Sequence, residues 1–409
     1  MTTDATAQDA APDGGTLPLA GIRVLDLSRL VAGNMLTLLL ADFGADVVKV
    51  EDPGTGDALR EWKAANGESL FWKVYARNKR SLTLDLRLPE GRALLLRLVE
   101  KADVMVESFK FGTLEKMGCG PDQLLARNPK LIIVRISGFG QTGPYRTRPG
   151  FGTLIEAMSG FAAKTGFPGH PPVLPNVALA DMVAGTYGAF AVVTAVRARE
   201  QHGAAGQVVD LSLLEPLISI VGPDAAVYQH TGEIPIRIGS RLQVSAPRNV
   251  YHTRDGRFLA VSASMQPMFE RLMEAIGKPE LIRDRRFRTN SDRIAHVDEL
   301  DRIIDGFICS RTLEENVTFF EAAGITAAPV YDVSQLVADE HIVAREVFVE
   351  APDPKLGTVK MHNVTPRLSG TPGQIRTPAP ELGEHTADLF AELGFDAAGI
   401  EELRAKHVI

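Results

Sequence analysis

The sequence predicts an α/β protein: a large domain on a mostly parallel sheet, followed by a smaller α+β domain. Short β-branched runs alternate with longer helical stretches from Leu17 to about Ser212, as βαβ units require. A strand, turn and strand pattern around Asp255 and Gly256 then indicates that a second domain of a different type begins. The chain has 409 residues, of which 45% are hydrophobic and 23% charged, an ordinary balance for two or three globular domains.

The large domain is predicted at residues 17–222, after a disordered, acidic tail at residues 1–16. Its predicted strands are 22–27, 47–51, 82–86, 104–107, 131–136 and 207–211. Its main predicted helices are 34–43, 90–101, 121–127 and 181–200. Because crossover helices make neighbouring strands parallel, ligands are expected beyond the carboxyl ends of these strands.

The remainder of the chain is predicted to leave the large domain and return to it. The predicted segments are a linker at 223–248, the small α+β domain at 249–338, a return linker at 339–380, and C-terminal helices at 381–409 that pack on the large domain. The predicted helices of the small domain are 268–276, 297–310 and 313–323. A return linker of this length is too long for a compact hairpin, so we expect it to cross the molecule.

Composition excludes several classes of protein. The formal charge of −7 does not favour a nucleic-acid partner. Cys119 and Cys309 lie far apart without zinc-ligand spacing, which argues against a disulfide scaffold and a metal site. The longest apolar run near the middle, residues 188–196, is shorter than the ~20 residues that span a bilayer. With no signal-peptide pattern at the start, we expect a cytoplasmic protein without a membrane partner.

Glycine-rich segments give only weak indications. The first predicted strand is not followed by GxGxxG, so the Rossmann-like large domain is not expected to bind NAD. The segment from Gly138 to Pro144 follows a strand and fits either a rim over a ligand or a plain turn, and its spacing favours the turn.

Asp181 is the most informative acidic residue. It lies at the predicted N-terminal end of an apolar helix that contains Ala184, Gly185 and Gly188. The simpler interpretation is an N-cap, since Asp accepts hydrogen bonds from the free amides of a first turn. The alternative is a carboxylate nucleophile, whose anion the same amides and the helix dipole would stabilise.

Taken together, several stretches resemble the class III CoA-transferase family, which includes formyl-CoA transferase and the CaiB/BaiF proteins. The matching stretches are LAGIRVLDLSRLVAG, ADFGADVVKVEDPGTGD, NKRSLTLDL, PEGRALLLRLVEKADVMVESFKFG, GFGQTGPY, PGFGTLIEAMSG, the acid at Asp181, GQVVDLSLLE and LGEHTADLFAELGF. They occur in family order from about Leu17 to the C-terminus, which makes the resemblance specific for the superfamily and less so for the substrate.

The resemblance implies a fold, a dimer and a reaction. Each chain is expected to form a ring-like pair of domains, and two chains to interlock as a homodimer. The aspartate that matches Asp181 is expected to attack an acyl-CoA, to carry CoA as an aspartyl thioester, and to pass it to a small carboxylic acid. CoA is then a substrate, and no tightly bound cofactor or metal is required.

The resemblance also implies CoA contacts, residue by residue. The matching positions are Val31, Ala32, Leu84, Arg87, Ser108, Phe109, Lys110, Lys116, Gly150 and Phe151. Lys110, Lys116 and Arg87 would supply positive charge for an anionic ligand. Ser108 replaces the usual Asn, and Lys replaces Arg twice, which removes bidentate geometry. Asp52 stands where the formyl-CoA branch has an arginine.

Two alternatives stay open at this point. An α-methylacyl-CoA racemase would require a His-Asp pair after Gly150, where this sequence has Phe151 and Gly152. A non-catalytic dimeric scaffold would leave Asp181 without a purpose.

The substrate is expected to be a short dicarboxylate. The glycine-rich insertion of the formyl-CoA branch has no counterpart near residues 241–248, which disfavours formate and oxalate. The form PGFGTLIEAMSG looks like that of members acting on succinate, malate, mesaconate, citramalate or glutarate. Arg146, Arg148 and Arg248 are candidates, by position only, for a second carboxylate.

Overall fold

The structure is a computed structural model that describes residues 17–409, so the predicted tail at 1–16 lies outside the described residues. The strands are β1 Arg23–Leu27, β2 Asp46–Glu51, β3 Ala64–Ala65, β4 Glu68–Ser69, β5 Lys79–Thr83, β6 Val104–Glu107, β7 Ile132–Ser137, β8 Gln207–Ser212, β9 Arg248–His252, β10 Phe258–Ser262, β11 Ala327–Pro329, β12 Phe348–Asp353 and β13 Gly357–His362.

Helices connect most of these strands. The α-helices are α1 Leu30–Asp42, α2 Leu70–Tyr75, α3 Pro89–Val99, α4 Thr113–Lys116, α5 Pro121–Arg127, α6 Gly152–Met158, α7 Phe161–Lys164, α8 Leu179–His202, α9 Leu214–Val221, α10 Asp224–Thr231, α11 Gln266–Ala275, α12 Asn290–Ala295, α13 Val297–Ile308, α14 Leu313–Ala322, α15 Val333–Leu336, α16 Glu340–Ala344, α17 Thr386–Glu392 and α18 Ala397–Ala405. Two short 3₁₀ helices cover Ala58–Glu61 and Pro279–Arg283.

The chain forms two compact units. The first contains residues 17–159, Pro175–Gly222 and Glu346–Ile409. The second contains Gly160–Leu174 and Pro223–Arg345. The chain therefore leaves the first unit twice and returns to it each time.

A six-stranded parallel sheet organises the first unit. Its order is β5-β2-β1-β6-β7-β8, and the order reverses between β1 and β6. Alternate residues of β1 point to opposite faces, so Val24 enters one core with α1 and α8 while Leu25 enters another with α3 and α18. The predicted α/β class with a parallel sheet is confirmed, and the order is that of a doubly wound fold.

Helices α1 and α8 pack closely because α8 carries small residues at the contact. A Cβ at Gly185 would lie 2.7 Å from the carbonyl oxygen of Ala32, and one at Gly188 would lie 2.4 Å from Leu36 Cδ1. Within the described residues, α8 is long and apolar enough to cross a membrane by length and composition alone. The apolar run at 188–196 is therefore only part of a longer apolar helix. The small residues of α8 are nevertheless buried, as in the core helix of a globular protein.

Strand β5 begins three residues before its predicted position. The prediction started at Leu82, whereas the strand covers Lys79–Thr83. Lys79 is buried because its Nζ lies 3.5 Å from the buried Asp26 carboxylate and donates to Asn34 Oδ1 at 2.9 Å. A buried lysine at a strand start breaks the apolar pattern on which the prediction rested.

Two segments predicted as linkers contain regular structure. Helix α10 lies within 223–248, and the hairpin β12–β13 lies within 339–380. The hairpin buries only a few apolar side chains, among them Val359 and Met361, so its sequence has little strand pattern. Lys73 anchors it through an ion pair with Asp353 at 3.0 Å.

The second unit has its own core. An antiparallel sheet in the order β11-β10-β9 packs with α11, α13 and α14. The predicted hairpin turn at Asp255 and Gly256 is confirmed, and Gly256 has the positive φ of +74° that favours glycine.

Candidate active site

Asp181 lies in the first turn of α8, but it is not the N-cap. The N-cap is Ala178, which provides no side-chain cap, so the interpretation of Asp181 as an N-cap was wrong. The Asp181 carboxylate faces α6, where a Cβ at Gly152 would lie 2.2 Å from Asp181 Oδ2. Only glycine at position 152 leaves room for this carboxylate.

The surroundings make Asp181 difficult to ionise. Burial, followed by the charge of Glu156, raises the pKa of Asp181 to about 6, against a weaker opposing hydrogen bond from its own backbone N–H. A carboxylate with a raised pKa is ionised at neutral pH and is more basic than an exposed one. Such a group is suited to nucleophilic attack.

The glycine-rich segment after β7 brings α6 to this position. Gly138 and Gly150 approach so closely that a Cβ at Gly138 would lie 2.6 Å from Gly150 Cα. The loop between them therefore starts and ends at one point, next to Phe151 and Gly152. The backbone N–H of Gln141 ties this loop to Asp210 at 2.9 Å.

A cavity of about 450 Å³ opens at the carboxyl ends of four strands of the sheet. Its lining residues include Ser28 after β1, Asp52 after β2, Leu84 after β5 and Phe109 after β6. Strands β1 and β6 flank the point where the sheet order reverses. This is the place at which doubly wound sheets bind their ligands.

A network of buried charges shapes the floor of this cavity. Lys49 Nζ lies 2.8 Å from Asp57 Oδ2 and 3.3 Å from Asp26 Oδ1, and all three groups are buried. Asp57 also accepts the backbone N–H of Leu30 at 2.9 Å, at the start of α1. Although burial opposes ionisation, Lys49 and the backbone N–H groups of Leu59 and Leu30 lower the pKa of Asp57 to about 2.

Some of the residues implied by the resemblance lie at this cavity. Leu84, Arg87 and Phe109 line it. The Ser108 hydroxyl accepts the backbone N–H of Arg29 at 3.0 Å, and Arg29 lines the cavity as well. Arg87 is exposed at the rim, where Asp85 and Asp52 pair with it.

Others lie near Asp181 instead. Val31 belongs to a small apolar cluster against which Met182, the residue after Asp181, packs. Ala32 contacts α8 at Gly185, as described above, and Gly150 and Phe151 immediately precede Gly152.

Lys110 and Lys116 belong to neither group. Both are exposed, and neither lines the cavity.

The sequence interpretation missed Glu156, Arg29 and Asp57. Glu156 lies in the quoted stretch PGFGTLIEAMSG, but nothing in the spacing shows that it approaches Asp181. Asp57 ends the segment GTGD, where a glycine-rich turn before an acid was the only signal. Among residues 17–409, no group of three or more His, Cys, Asp and Glu side chains is arranged to hold a metal ion.

A doubly wound sheet with a cavity at its switch point, and a partly buried carboxylate at a helix start, are typical of an α/β enzyme whose ligand binds at the carboxyl ends of the strands. The model of CoA-transferase family III matches residues 19–386. The chain therefore belongs to CoA-transferase family III, and it is a CoA-transferase.

Relatives support this assignment over nearly the whole chain. The succinyl-CoA–D-citramalate CoA-transferase of Chloroflexus aurantiacus is 43% identical over 395 residues, covering 96% of this chain and 98% of that protein. The succinate–glutarate CoA-transferase of Agrobacterium fabrum is 38% identical, covering 92% of this chain and 96% of that protein. A CaiB/BaiF family protein from Brucella suis has a TM-score of 0.82 at 34% identity, covering 93% of this chain and 100% of that structure.

Proposed function

We propose that this CoA-transferase moves CoA from succinyl-CoA or another short dicarboxylyl-CoA to a carboxylic acid, with Asp181 as the nucleophile. The observation that carries the proposal is the position of the Asp181 carboxylate, which is partly buried in the first turn of α8 and lies against Gly152. No other described carboxylate combines a place at the start of a long helix with a pKa raised to about 6.

The reaction proceeds in four exchanges at carbonyl carbon. An Asp181 oxygen attacks the thioester carbonyl, the C–S bond breaks, and CoA thiolate leaves an aspartyl mixed anhydride. The thiolate then attacks the aspartyl carbonyl, releasing the donor carboxylate and forming an aspartyl-CoA thioester. The acceptor carboxylate attacks this thioester, which breaks its C–S bond, expels CoA thiolate and forms a second mixed anhydride. The thiolate finally attacks the acceptor carbonyl of that anhydride, which forms the acceptor acyl-CoA and releases the Asp181 carboxylate. Each bond broken is matched by a similar bond formed, so no ATP is consumed.

The nucleotide portion of CoA is proposed to occupy the cavity. Phe109 offers an apolar surface there, and Arg29 and Arg87 offer positive charge for phosphates. Arg87→Ala is expected to raise the KM for acyl-CoA by about fivefold, the loss of an exposed charged hydrogen bond. Arg127→Ala is the control, because Arg127 is also exposed, does not line the cavity and, among the described residues, forms an ion pair only with Glu100. Lys116→Ala, measured in the same series, tests the contact implied by the resemblance.

A dicarboxylate substrate is supported by the relatives named for succinate, citramalate and glutarate. The direct test is to incubate the protein with succinyl-CoA and, separately, citramalate, malate, mesaconate, glutarate, formate, oxalate or acetate. Liquid chromatography of the CoA products is expected to show transfer to at least one of the first four. Transfer only to formate or acetate would contradict the dicarboxylate proposal, and transfer only to oxalate would contradict the expectation that oxalate is not a substrate.

The arginine for the second carboxylate is proposed to be Arg148. It lies in the loop that ends at Gly150, and its guanidinium stacks over Tyr145 at 3.6 Å. Arg146 is in the same loop, and its guanidinium lies over the ring of Phe111 outside the loop. Arg248 belongs to the second unit and donates to backbone carbonyls. Arg148→Ala is expected to raise the KM for the dicarboxylate acceptor more than that for acyl-CoA.

The racemase alternative has less support. A racemase aspartate at position 152 would require a Cβ at the point that Asp181 Oδ2 already approaches. The imidazole that would accept the α-proton is replaced by Phe151.

We also propose a homodimer in the cytoplasm. Helix α8 exposes Phe190 and Tyr187 along one side, and the neighbouring α9 exposes Ile218 and Ile220. The Tyr187 hydroxyl and Ser219 Oγ are 2.8 Å apart, so the two apolar surfaces adjoin. A contiguous apolar surface of this kind is typical of an interface with a second copy.

A further inference from the structure

Glu156 is a buried carboxylate on α6. It is 3% exposed, and its Oε1 accepts the backbone N–H of Ala180 at 3.2 Å. Among the described residues, no ion pair includes Glu156 (compare Glu107, which is similarly buried and pairs with Arg135 at 2.8 Å). A buried carboxylate satisfied by one amide is destabilising, so its presence requires a reason other than stability.

The hydrogen bond holds Glu156 beside Asp181. Ala180 immediately precedes Asp181 in the first turn of α8. On α6, Gly152 and Glu156 are four residues apart and therefore lie on one face. Gly152 leaves space for Asp181 Oδ2, as described above, and Glu156 binds the amide next to it. Helix α6 thus places two features beside the Asp181 carboxylate: the space left by Gly152 and the negative charge of Glu156.

Other charged groups on the elements around α8 have partners elsewhere. Helix α1 contributes Asp42, which pairs with Arg77 at 2.7 Å. Helix α9 contributes Glu215, which binds Ser212. Strand β7 contributes Arg135, which pairs with Glu107 and Glu115. Strand β8 contributes Asp210, which accepts a hydrogen bond from the backbone N–H of Gln141. Glu156 is the only one of these whose charge affects the pKa of Asp181.

We propose that Glu156 is a positioning residue that favours formation of the covalent intermediate by repelling the ionised form of Asp181. The inference rests on the proposed function of Asp181. When an Asp181 oxygen forms its bond to the acyl carbon and the C–S electron pair leaves with CoA, Asp181 loses its negative charge. Its repulsion by Glu156 then disappears, so the anhydride and the thioester are favoured relative to the free carboxylate.

The effect on the pKa of Asp181 supports this role. The charge of Glu156 is the second cause, after burial, of the rise to about 6. The repulsion that disfavours loss of the proton is the same repulsion that acylation removes. Each pKa unit that Glu156 adds at Asp181 should therefore appear as a tenfold increase in the equilibrium constant for forming the covalent Asp181 adduct from acyl-CoA.

Glu156→Gln is the variant that separates charge from structure. The amide oxygen of Gln still accepts the Ala180 N–H, but the charge is absent. In the wild type, kcat/KM for succinyl-CoA is expected to rise with pH through about 6, as Asp181 ionises. In the variant this acidic limb is expected about one pH unit lower, and the adduct equilibrium constant at pH 8 about tenfold lower. An unchanged limb, or an unchanged adduct level, would overturn the proposal.

Glu156→Asp provides a second series that retains the charge at a greater distance. The acidic limb of its pH profile is expected to lie between that of the wild type and that of Glu156→Gln. A limb for Glu156→Asp that lies below that of Glu156→Gln would overturn the proposal. A merely structural role would alter the unfolding temperature without moving the limb. The test also distinguishes the two claims: a wild type that forms no adduct with any acyl-CoA removes the proposed nucleophile, whereas equal adducts in wild type and Glu156→Gln remove only the role of Glu156.

Discussion

At the scale of single residues, Asp181 combines reactivity with a cost in stability. Its pKa is about 6 in the folded protein and near 3.8 when exposed. Between these values the folded protein retains a proton that the unfolded chain has released, so stability falls as pH rises from about 4 to 6. At neutral pH the ionised, partly desolvated carboxylate therefore opposes folding.

Asp181→Asn is expected to abolish turnover and to stabilise the fold at pH 7.5. The gain should be about 1–3 kcal/mol, because the neutral amide avoids the desolvation of a charge. Urea unfolding at pH 7.5 and at pH 4.5 measures it, and the gain should shrink at the lower pH, where Asp181 holds its proton. Equal stability of the variant and wild type at pH 7.5 would show that Asp181 is not desolvated as described.

Gly152→Ala is expected to lower kcat at least about tenfold, since the new methyl group displaces the Asp181 carboxylate from its place. Steady-state kinetics with succinyl-CoA measure the loss, and circular dichroism reports whether the fold is kept. Gly306→Ala is the control, because a Cβ at Gly306 in α13 meets no other atom within 4 Å. Full activity of Gly152→Ala would contradict the close approach of α6 to Asp181.

The sequence indicated Asp181 but not its neighbours, for a physical reason. A carboxylate at the start of an apolar helix is visible as a local pattern. The approach of Glu156 depends on how α6 packs against α8, which is a tertiary contact between residues 24 positions apart. Lys110 and Lys116 match family motif positions in the sequence, yet neither side chain lines the cavity. A motif match alone does not determine where a side chain lies in the fold.

At the scale of elements, the start of α1 depends on Asp57. Leu30, the first residue of α1, has a positive φ of +63°, which is strained for leucine. Asp57 accepts the N–H of Leu30 and also hydrogen-bonds to Asn34 at 2.8 Å. The segment after β2 thereby fixes both α1 and the cavity floor.

Asp57→Ala is expected to destabilise the protein by about 3–5 kcal/mol, because Lys49 would lose a buried partner. Chemical denaturation measures the loss. Asp52→Ala in the same segment is the control, and we expect a loss of about 1 kcal/mol or less, since Asp52 is only partly buried and pairs with the exposed Arg87. Similar losses in the two variants would contradict the role of the buried pair.

The pH dependence of Asp57 has the opposite sign to that of Asp181. Its folded pKa of about 2 lies below the unfolded value of 3.8. Its stabilising contribution is therefore complete above about pH 4 and is lost as pH falls toward 2.

Elements with strong local patterns were predicted well. Strand β6 and helix α5 have the predicted bounds, and α8 differs by two residues at each end. The prediction missed the first three residues of β5 because charged residues such as Lys79, which is buried beside Asp26, are normally interpreted as exposed. It missed the hairpin β12–β13 because few apolar side chains of the hairpin are buried.

At the scale of the whole molecule, the sequence predicted the α/β class but not the order of the strands. Alternating strands and helices require crossovers, but the reversal between β1 and β6 depends on contacts between distant segments. The packing of the C-terminal helices on the large domain, by contrast, was expected from the sequence, and Phe390 lies in the same core cluster as Leu82.

The proposed homodimer should depend on the exposed side of α8. Phe190 is 73% exposed, and Phe190→Glu would place a charge in an apolar interface. Light scattering after size-exclusion chromatography is expected to give a dimer for the wild type and a monomer for the variant. Val343→Glu is the control, since Val343 is a similarly exposed apolar residue on α16 of the second unit. A wild-type monomer, or a dimer unaffected by Phe190→Glu, would contradict this interface.

The most direct test of the central claim is mass spectrometry of the intact protein and its peptides after incubation with succinyl-CoA and no acceptor. We predict a CoA adduct that maps to the peptide containing Asp181, is absent in Asp181→Asn, and disappears when an acceptor dicarboxylate is added. An active wild type whose adduct maps to another residue, or Asp181→Asn protein that still transfers CoA, would contradict the assignment of Asp181 as the nucleophile.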